Sequence, residues 1–458
     1  MIFNSKNNRR ATSVVCFVVA AATVGLASGC GSKTPSGLDG QVRASIQANG
    51  ISPLPALDFA DPAKVALGQA LFFDKELSGN RDIACSTCHS AVHHTVDGLS
   101  LSIGTGGTGT GPERQVGTGA FFSRKALTLF NRGFPEVTTM FVDSRVSGDP
   151  VNGFTTPAGD QLPQGLDSVL AAQALFPILS RAEMRGQVGD KDVFGNDNEL
   201  AAFADDDFAG AWKAIVKRVT GNPEYVNLLQ AAYPALSIDR IGIQHLANAI
   251  AAFETKAFTF TNSPWDQYVA GDDQALTDQQ KRGAVLFYGK ANCAACHAGN
   301  LLYDQQNDNI LIPNIGPGRP GSAPLDAGVG LITGDPADNF VFRSEPLRNV
   351  ELTPPYMHDG AYATLEAVVR HYNNIRKDTL NYDTSQLDPR LLDQVHNDVS
   401  TIVLMAHTFH DDDLPFLNLG EDEIQDLVGF LKAFTDPAAR DLTSVIPTSV
   451  PSGLSIDP

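Results

Sequence analysis

One short motif occurs twice in this chain of 458 residues and constrains its fold more than any other feature. The motif is Cys-x-x-Cys-His, at Cys85–His89 and again at Cys293–His297. A similar stretch precedes each copy, at Gly68–Lys75 and Gly283–Lys290, in which a glycine, a Leu-Phe pair, another aromatic residue and a lysine recur. Similarity on this scale predicts a duplicated domain and not a short-period repeat.

The spacing within the motif is that of c-type haem attachment. Two thiols about one helical turn apart can bond to the two vinyl groups of one porphyrin, and histidine is a standard proximal ligand of haem iron. A four-cysteine zinc site and a thiol–disulfide pair are the alternatives, but each pair has its own histidine and no βαβ pattern is present. We therefore predict two covalently bound haem c groups. The predicted attachment and iron-ligand residues are Cys85, Cys88, His89, Cys293, Cys296 and His297.

The rest of the sequence reads as helices joined by long loops. Residues 238–257 and 421–434 each place apolar side chains on one helical face, whereas alternating strand patterns are scarce. Loops rich in glycine and proline, at Gly104–Gly119 and Pro313–Gly334, have the length that usually shapes a site. The pattern predicts an all-α chain in two halves.

The N-terminal residues predict export. Basic residues precede an apolar run, 14–26, that is too short for an ordinary membrane span and is typical of a signal peptide. Small residues before Cys30 resemble a lipoprotein cleavage site, with plain signal cleavage as the alternative. We expect a signal peptide at 1–29, a lipoprotein-type tether at 30–51, and a periplasmic protein with a lipid anchor on Cys30 as its only membrane attachment.

The net charge of −19 argues against nucleic acid as a partner. It favours a positively charged redox partner, although many exported proteins are acidic. The sequence does not distinguish a monomer from a homodimer.

From about residue 53 to residue 437, the chain resembles the bacterial di-haem cytochrome c peroxidase and MauG family. The sequences that carry the resemblance are Leu67-Gly68, Leu71-Phe72-Phe73-Asp74, Leu77-Ser78-Gly79, Asp97-Gly98, Ser102-Ile103-Gly104, Asp143-x-Arg145, Gln173 with Glu183-Met184, Phe342-Arg343, Pro346-Leu347-Arg348-Asn349-Val350 and Thr353-x-Pro355-Tyr356-Met357-His358-Asp359-Gly360. The resemblance implies two cytochrome c-like domains related by duplication, with long irregular loops. The domains would be 52–265, with the peroxidatic haem, and 266–440, with the electron-transfer haem, followed by a tail at 441–458.

The same resemblance implies reduction of hydrogen peroxide at the N-terminal haem. Glu183 would be the acid–base group and Gln173 would help to hold peroxide or water. Electrons would come through the C-terminal haem from a small redox protein, a cytochrome c or a cupredoxin. Two alternatives stay open: a MauG-like enzyme that oxidatively modifies a partner protein, and a di-haem electron carrier without peroxide chemistry. From the residues alone, Glu183 also fits a solvated salt bridge with its arginine neighbours.

The chain departs from the family around the N-terminal haem. Family members often carry a histidine sixteen residues after the proximal one, where this chain has Thr105. His93 and His94 are nearby in sequence but not at that position. We therefore expect a five-coordinate, high-spin N-terminal haem that reacts with peroxide without prior reduction.

A second departure concerns the sixth ligand of the C-terminal haem, which is usually methionine in the family. Here the corresponding helix contains His371 and Tyr372 and no methionine. Ungapped alignment favours His371, whereas helical periodicity places Tyr372 on the face with Leu365 and Val368. We prefer His371, and a haem that neither residue ligates is the remaining alternative.

Two further family features are altered. The tryptophan expected before Asp143 is absent from the stretch Phe141–Arg145. Lys125 replaces the asparagine of the interdomain calcium site, so that an ammonium group can stand in for the cation and calcium becomes doubtful. His358 is expected to form hydrogen bonds at the interface between the domains and not to be catalytic.

Overall fold

The structure is a computed structural model that describes residues 37–410 and 416–458. Helices dominate these ranges, which confirms the predicted all-α class. The helices are α1 (Leu38–Ala48), α2 (Pro62–Phe73), α3 (Cys85–Cys88), α4 (Val169–Ala174), α5 (Phe208–Thr220), α6 (Pro223–Ala232), α7 (Ile243–Phe258), α8 (Pro264–Val269), α9 (Asp278–Tyr288), α10 (Gly330–Thr333), α11 (Leu365–Asn373), α12 (Ile375–Leu380), α13 (Val399–Met405) and α14 (Glu421–Lys432). Within the described ranges, none of these helices has the length and apolar character needed to span a membrane.

The strands are short and form three small, separate sheets among the described residues. They are β1 (Thr139–Met140), β2 (Val146–Asp149), β3 (Gly153–Thr155), β4 (Asn307–Asp308), β5 (Asn314–Ile315), β6 (Phe342–Arg343) and β7 (Val395–His396). Strands β1, β2 and β3 form an antiparallel sheet in that order, and β4 pairs with β6 and β5 with β7, both antiparallel. These ladders fix loops around the site and do not form a layer of their own.

One close helix crossing lies at the centre of each half. Helix α2 packs against α7, and helix α9 packs against α14. A Cβ atom on Gly68 would lie 1.9 Å from the carbonyl oxygen of Ala249, and one on Gly283 would lie 2.0 Å from that of Asp426. Only glycine allows either pair of helices to approach so closely. The glycine that recurs in the two sequence units therefore has the same packing role in both halves, which supports the predicted duplication.

Most of the buried apolar side chains in the described residues belong to two hydrophobic cores. Phe72 and Phe253 belong to the first core, and Trp265 and Phe430 belong to the second. The chain passes from one core to the other between Phe260, which packs against the first, and Trp265. This change lies close to the predicted domain boundary.

The prediction of a tether at 30–51 is wrong for residues 37–51, which the structure describes. Helix α1 replaces it, and Val42 and Ile46 are buried in the second core. Arg43 also contacts Asp273 at 2.6 Å. An amphipathic helix that buries apolar side chains cannot act as a flexible linker. The predicted signal peptide and Cys30 lie outside the described residues.

The C-terminal segment 441–458 packs along the first half. Leu442 and Val450 are buried in the first core. Asp457 forms an ion pair with Lys75 Nζ at 2.8 Å and accepts a hydrogen bond from Thr87 Oγ1 at 2.6 Å. Thr87 lies inside the first Cys-x-x-Cys-His motif, so this segment supports the attachment helix α3.

Candidate functional site

Each Cys-x-x-Cys-His motif lines a cavity of its own. The first cavity contains Cys85, Cys88 and His89, and the second contains Cys293, Cys296 and His297. Their empty volumes are about 1110 and 1750 Å³, including space open to solvent, which suffices for a cofactor. All four thiols are free, and their separation into two cavities is incompatible with one four-cysteine zinc site.

The local backbone is the same in both motifs. The amide of His89 donates to the carbonyl of Cys85, and that of His297 to Cys293, at 2.9 Å in each case. One turn of helix thus presents two thiols and one imidazole to the same cavity. Burial raises the pKa of Cys85 and of Cys293 to about 12. Thiol–disulfide exchange needs a thiolate, so such buried thiols suit covalent attachment better than redox exchange.

The two imidazoles also share a second contact. His89 Nδ1 lies 3.0 Å from the carbonyl oxygen of Thr95, and His297 Nδ1 lies 3.2 Å from that of Leu302. A carbonyl at Nδ1 selects the tautomer in which Nδ1 carries the proton and Nε2 is the ligand atom. Burial lowers the pKa of both histidines, which favours the neutral form that binds metal. Both cavities therefore fit a haem held by two thioethers and one histidine.

The first cavity brings together the two residues that the resemblance singled out. Gln173, from α4, and Glu183, from a π-helical turn at Arg181–Arg185, line it with His89. Burial raises the pKa of Glu183, and the positive charges of Arg145 and Arg319 oppose this effect. Glu183 is therefore a cavity carboxyl and not the solvated salt-bridge residue that its sequence neighbours suggested.

Cationic side chains surround Glu183. Arg145 contacts Asp143 at 2.8 Å, and Arg124 joins Asp143 to Asp326 of the second half, both at 2.6 Å. Arg319 enters the same cavity from the loop Pro313–Gly334. No sequence signal pointed to Arg319, because it is far from Glu183 in sequence and reaches the cavity only through the packing of the two halves.

His89 is the only one of the ten histidines, all of which lie in the described ranges, that lines the first cavity. Thr105 donates a hydrogen bond to Asp82 at 2.8 Å and receives one from Asn80 at 2.9 Å, outside the cavity. His93 and His94 do not line it either. Among the described residues, the first cavity therefore contains Gln173, Glu183 and a single imidazole, that of His89.

The preference for His371 as sixth ligand of the C-terminal haem is not supported by its position. Its Nε2 lies 2.8 Å from the carbonyl oxygen of Ile310, and its Nδ1 contacts Tyr362 at 2.8 Å and Asp378 at 3.1 Å. Both nitrogens are thus occupied by protein. Tyr372 instead lines the second cavity with His297. Adjacent helical residues project about 100° apart, so only one of the two can face the cavity.

The two cavities share a wall that includes Lys125, Leu127 and Val142. Lys125 Nζ donates to the carbonyl of Thr353 at 2.8 Å and also to that of Pro355. The ammonium group thus supplies a positive charge at the position where the resemblance places the interdomain calcium site. Burial lowers the pKa of Lys125 to about 8.

Val142 and His358 also lie where the two halves meet. Val142 lies in the shared wall, next to Asp143, where the resemblance predicts a tryptophan, so no indole separates the cavities at that point. His358 accepts a hydrogen bond at its carbonyl from the Lys125 amide at 2.9 Å. Its ring stacks on Phe342, with 3.7 Å between ring centroids. His358 therefore lies at the interface as expected, and it lines the second cavity.

A buried carboxyl that sequence reasoning missed is Glu254, on α7. It is 6% exposed, it lines the first cavity, and its Oε2 has no hydrogen-bond partner among the described residues. Burial alone raises its pKa to about 8. The sequence did contain a signal for this residue: Glu254 is a charged residue on the apolar face of α7, one helical turn after Ile250.

Comparison with known proteins gives consistent results. Residues 62–274 match a family model described as di-haem cytochrome c peroxidase. The chain is 28% identical to the methylamine utilization protein MauG of Methylorubrum extorquens, over 70% of this chain and 71% of that protein. It is 29% identical to the cytochrome c551 peroxidase of Pseudomonas aeruginosa, over 75% and 77%.

Solved structures show the same architecture. A MauG-like protein associated with microbial copper homeostasis superposes with a TM-score of 0.58 at 25% identity, over 87% of this chain and 96% of that one. The diheme peroxidase BthA from Burkholderia thailandensis shares the fold at 20% identity, with a TM-score of 0.56 over 89% and 94%.

Proposed function

The chain belongs to the bacterial di-haem cytochrome c peroxidase and MauG family and is an oxidoreductase of the cytochrome c peroxidase type, and on this premise we propose that it reduces hydrogen peroxide in the periplasm with electrons from an external donor. One observation carries the proposal. The first cavity contains a haem-attachment motif, Cys85–His89, together with Gln173 and Glu183.

Two haem c groups are the cofactors that family membership implies. If bound, each haem would supply a redox-active iron, and the haem in the first cavity would be the one that reacts with peroxide. The residues proposed to hold the two groups are Cys85, Cys88 and His89 in the first cavity and Cys293, Cys296 and His297 in the second.

Glu183 is proposed to accept a proton from peroxide and return it to the departing oxygen. Burial makes its carboxylate a stronger base, and Arg145 and Arg319 keep the ionised form accessible. Gln173 can accept and donate hydrogen bonds through its amide, which suits a residue that positions peroxide or water. In this proposal Glu183 transfers the proton, and Gln173 orients the peroxide or water.

The proposed resting state follows from the histidine inventory of the first cavity. Among the described residues, His89 is the only histidine that lines this cavity, so a haem iron held there would have no second histidine to displace. We infer a five-coordinate, high-spin ferric haem that is ready for peroxide without prior reduction. Electron paramagnetic resonance of the oxidised holoprotein tests this inference, and two low-spin ferric signals would exclude it.

A second candidate function is MauG-like oxidation of a partner protein. The observation in its favour is Tyr372, whose side chain lines the cavity of the C-terminal haem. A tyrosine oxygen stabilises oxidised iron more strongly than methionine sulfur does, which favours a site that stores oxidising equivalents. The third possibility, a di-haem carrier without peroxide chemistry, leaves Gln173 and Glu183 without a role.

We propose that this enzyme needs no calcium between its halves. The ammonium group of Lys125 is bonded to the carbonyls of Thr353 and Pro355, so a positive charge is already present at that position. A metal ion there would have to displace the side chain and overcome its repulsion.

Export through residues 1–29 and lipid attachment at Cys30 are also proposals, supported by the sequence pattern alone. The negative net charge supports a basic redox protein as donor, by electrostatic steering. The negative net charge is compatible either with a small electron donor or with a protein substrate.

The test is addition of hydrogen peroxide to the ferric holoprotein, followed by stopped-flow optical spectroscopy. We expect a rapid change in the Soret band of the unaltered protein. Glu183→Gln should slow this change about 10²- to 10⁴-fold. Glu113→Gln is the matched control, because Glu113 is exposed and lies outside the cavity.

The donor is tested separately. Oxidation of a reduced cytochrome c or cupredoxin on addition of peroxide supports the peroxidase, whereas covalent change in a co-purifying protein supports the MauG-like alternative. No spectral change with peroxide in the unaltered holoprotein would contradict both.

A further inference from the structure

One of the cationic side chains that line the first cavity, Arg319, has no partner among the described residues. Arg124 and Arg145 also line this cavity, and both contact Asp143, at 2.6 and 2.8 Å. Lys125 donates to two backbone carbonyls. The side chain of Arg319, by contrast, forms no hydrogen bond or ion pair with any residue that the structure describes. A guanidinium has five N–H donors and no acceptor, so these donors are open to an acceptor in the cavity.

The loop that carries Arg319 belongs to the second half but is tied to the first. The hydroxyl of Ser123 donates a hydrogen bond to the carbonyl of Gly318, the residue before Arg319. The guanidinium of Arg124 contacts the Asp326 carboxylate of the same loop at 2.6 and 2.9 Å. Ser123 and Arg124 themselves line the first cavity. The loop is therefore anchored at the edge of the cavity that Arg319 enters.

The backbone around Arg319 is also fixed by its own hydrogen bonds. The amide of Arg319 donates to the carbonyl of Leu325 at 3.0 Å, and the amide of Ser322 donates to the carbonyl of Arg319 at 2.9 Å. Gly318 has a φ of +69°, and a Cβ atom there would lie 2.4 Å from the carbonyl carbon of Pro324. Only glycine allows this tight turn. The turn thus holds a half-buried guanidinium at the cavity and leaves its donors open.

The charge of Arg319 acts on the carboxyl that is proposed to move the proton. After that of Arg145, it is the charge that most strongly opposes the rise in the pKa of Glu183 caused by burial. Arg145 is already bonded to Asp143, whereas Arg319 has no carboxylate of its own. When Glu183 takes up a proton, its negative charge is lost, and the charge of Arg319 becomes available to a different anion.

Two kinds of anion share the chemistry that a guanidinium binds in such a cavity. One is a propionate of the haem, and the other is hydroperoxide, which forms when peroxide loses a proton. The charge of Arg319 acts on Glu183, and hydroperoxide would form where that carboxyl removes the proton. The observations therefore favour the substrate anion, and the propionate is an outcome that the test separates from it.

We propose that Arg319 is a further catalytic residue of the first cavity, which binds the hydroperoxide anion and other small inorganic anions. The inference rests on the proposed peroxidase function. In the step concerned, hydrogen peroxide gives one proton to the Glu183 carboxylate, which yields a neutral carboxyl group and HOO⁻. No electron moves in this step. Arg319 donates hydrogen bonds to the anion and compensates its charge. The second half thus contributes a residue to the reaction site of the first.

The test uses cyanide, which also loses a proton and binds as an anion. Its dissociation constant for the ferric holoprotein is measured by optical titration of the Soret band. Arg319→Gln should weaken cyanide binding about 10- to 100-fold, because a charged hydrogen bond is lost. Arg319→Lys keeps the charge and should retain most of the affinity. Carbon monoxide, bound to the reduced protein, is the neutral probe, and its affinity should be the same in every variant.

Arg240→Gln is the matched control, because Arg240 is exposed and lines neither cavity. It should leave the binding of both probes unchanged. Arg319→Met provides a second neutral variant should Arg319→Gln not fold.

Three results would overturn the proposal. Cyanide affinity that is unchanged in Arg319→Gln would show that the guanidinium does not bind the anion. Equal losses of cyanide and carbon monoxide affinity would indicate a steric or structural effect. A lowered melting temperature of the holoprotein with unchanged cyanide affinity would assign Arg319 to a haem propionate.

Failure of the proposed function has a different signature. Unaltered protein that binds cyanide in an Arg319-dependent manner but does not react with peroxide refutes the peroxidase and leaves the anion site. Protein that reacts rapidly with peroxide and binds cyanide independently of Arg319 refutes only the anion site.

Discussion

Replacing Glu254 with glutamine should stabilise the protein, and increasingly so as the pH rises. The carboxyl is buried beside Cys85 and Ile250, and no arginine, lysine or histidine offsets its burial. Its pKa is raised to about 8, whereas an unfolded glutamate titrates near 4.3. The folded state therefore holds a proton that the unfolded state releases.

The sign and size of the effect follow from proton linkage. Below about pH 4 the carboxyl is protonated in both states and carries no penalty. Between there and pH 8 only the unfolded state ionises, so the free energy of unfolding falls by about 1.4 kcal/mol per pH unit. The full cost approaches roughly 5 kcal/mol above pH 8, as an upper limit. Glutamine has nearly the same shape and does not titrate, so Glu254→Gln escapes this loss.

The assay is equilibrium unfolding of the holoprotein in guanidinium chloride at several values from pH 5 to pH 8, followed by circular dichroism. The stability difference between Glu254→Gln and the unaltered protein should be small at pH 5 and should reach several kcal/mol at pH 8. Glu224→Gln is the control, since Glu224 is exposed on α6. A difference for Glu254→Gln that does not vary with pH would refute the reasoning, because it would mean that the carboxyl is not buried without a partner.

Three further predictions concern the second cavity, the interface and the C-terminal segment. Tyr372→Phe should change the optical spectrum of the C-terminal haem, whereas His371→Gln should not, and the reverse result would restore the alignment-based choice of ligand. Lys125→Met should cost about 3 kcal/mol of stability, because two buried carbonyls lose their donor, and a chelator should leave the melting temperature of the unaltered protein unchanged. Asp457→Asn should lower stability by about 3 kcal/mol in chemical denaturation, because it leaves Lys75 buried without its partner, and an unchanged midpoint would indicate that the segment is only loosely docked.

The haem-attachment residues could be predicted from sequence because their chemistry is local. Two thiols and an imidazole must occur within five residues to meet one porphyrin, and this spacing survives any arrangement of the surrounding chain. The same holds for Gly68 and Gly283, whose recurrence reflects one helix crossing in each half. Features that depend on one turn of helix or on one crossing leave a short and readable pattern.

The choice between His371 and Tyr372 shows how two sequence signals can conflict. Helical periodicity grouped Tyr372 with Leu365 and Val368, and all three line the second cavity. Ungapped alignment favoured His371, whose two ring nitrogens contact Asp378 and the carbonyl of Ile310 and which does not line that cavity. Periodicity identified the side of this helix that faces the second cavity, whereas alignment transfers a position from helices whose rotation can differ.

Contacts between distant segments could not be predicted. Arg319 reaches Glu183 from the other half of the chain, and Arg132 meets Glu345 in the same way. Each is an ordinary charged residue in its local sequence. A partner far away along the chain determines its role, and a single sequence does not specify that partner.

The two terminal segments of the described chain cross over between the halves, and this arrangement has a consequence for how the halves become one unit. Helix α1 precedes the first half but completes the second core, and residues 441–458 follow the second half but complete the first. The first cavity obtains its support at Thr87 only when Asp457 is in place. Neither half can therefore reach its final packing alone, even though each contains its own attachment motif.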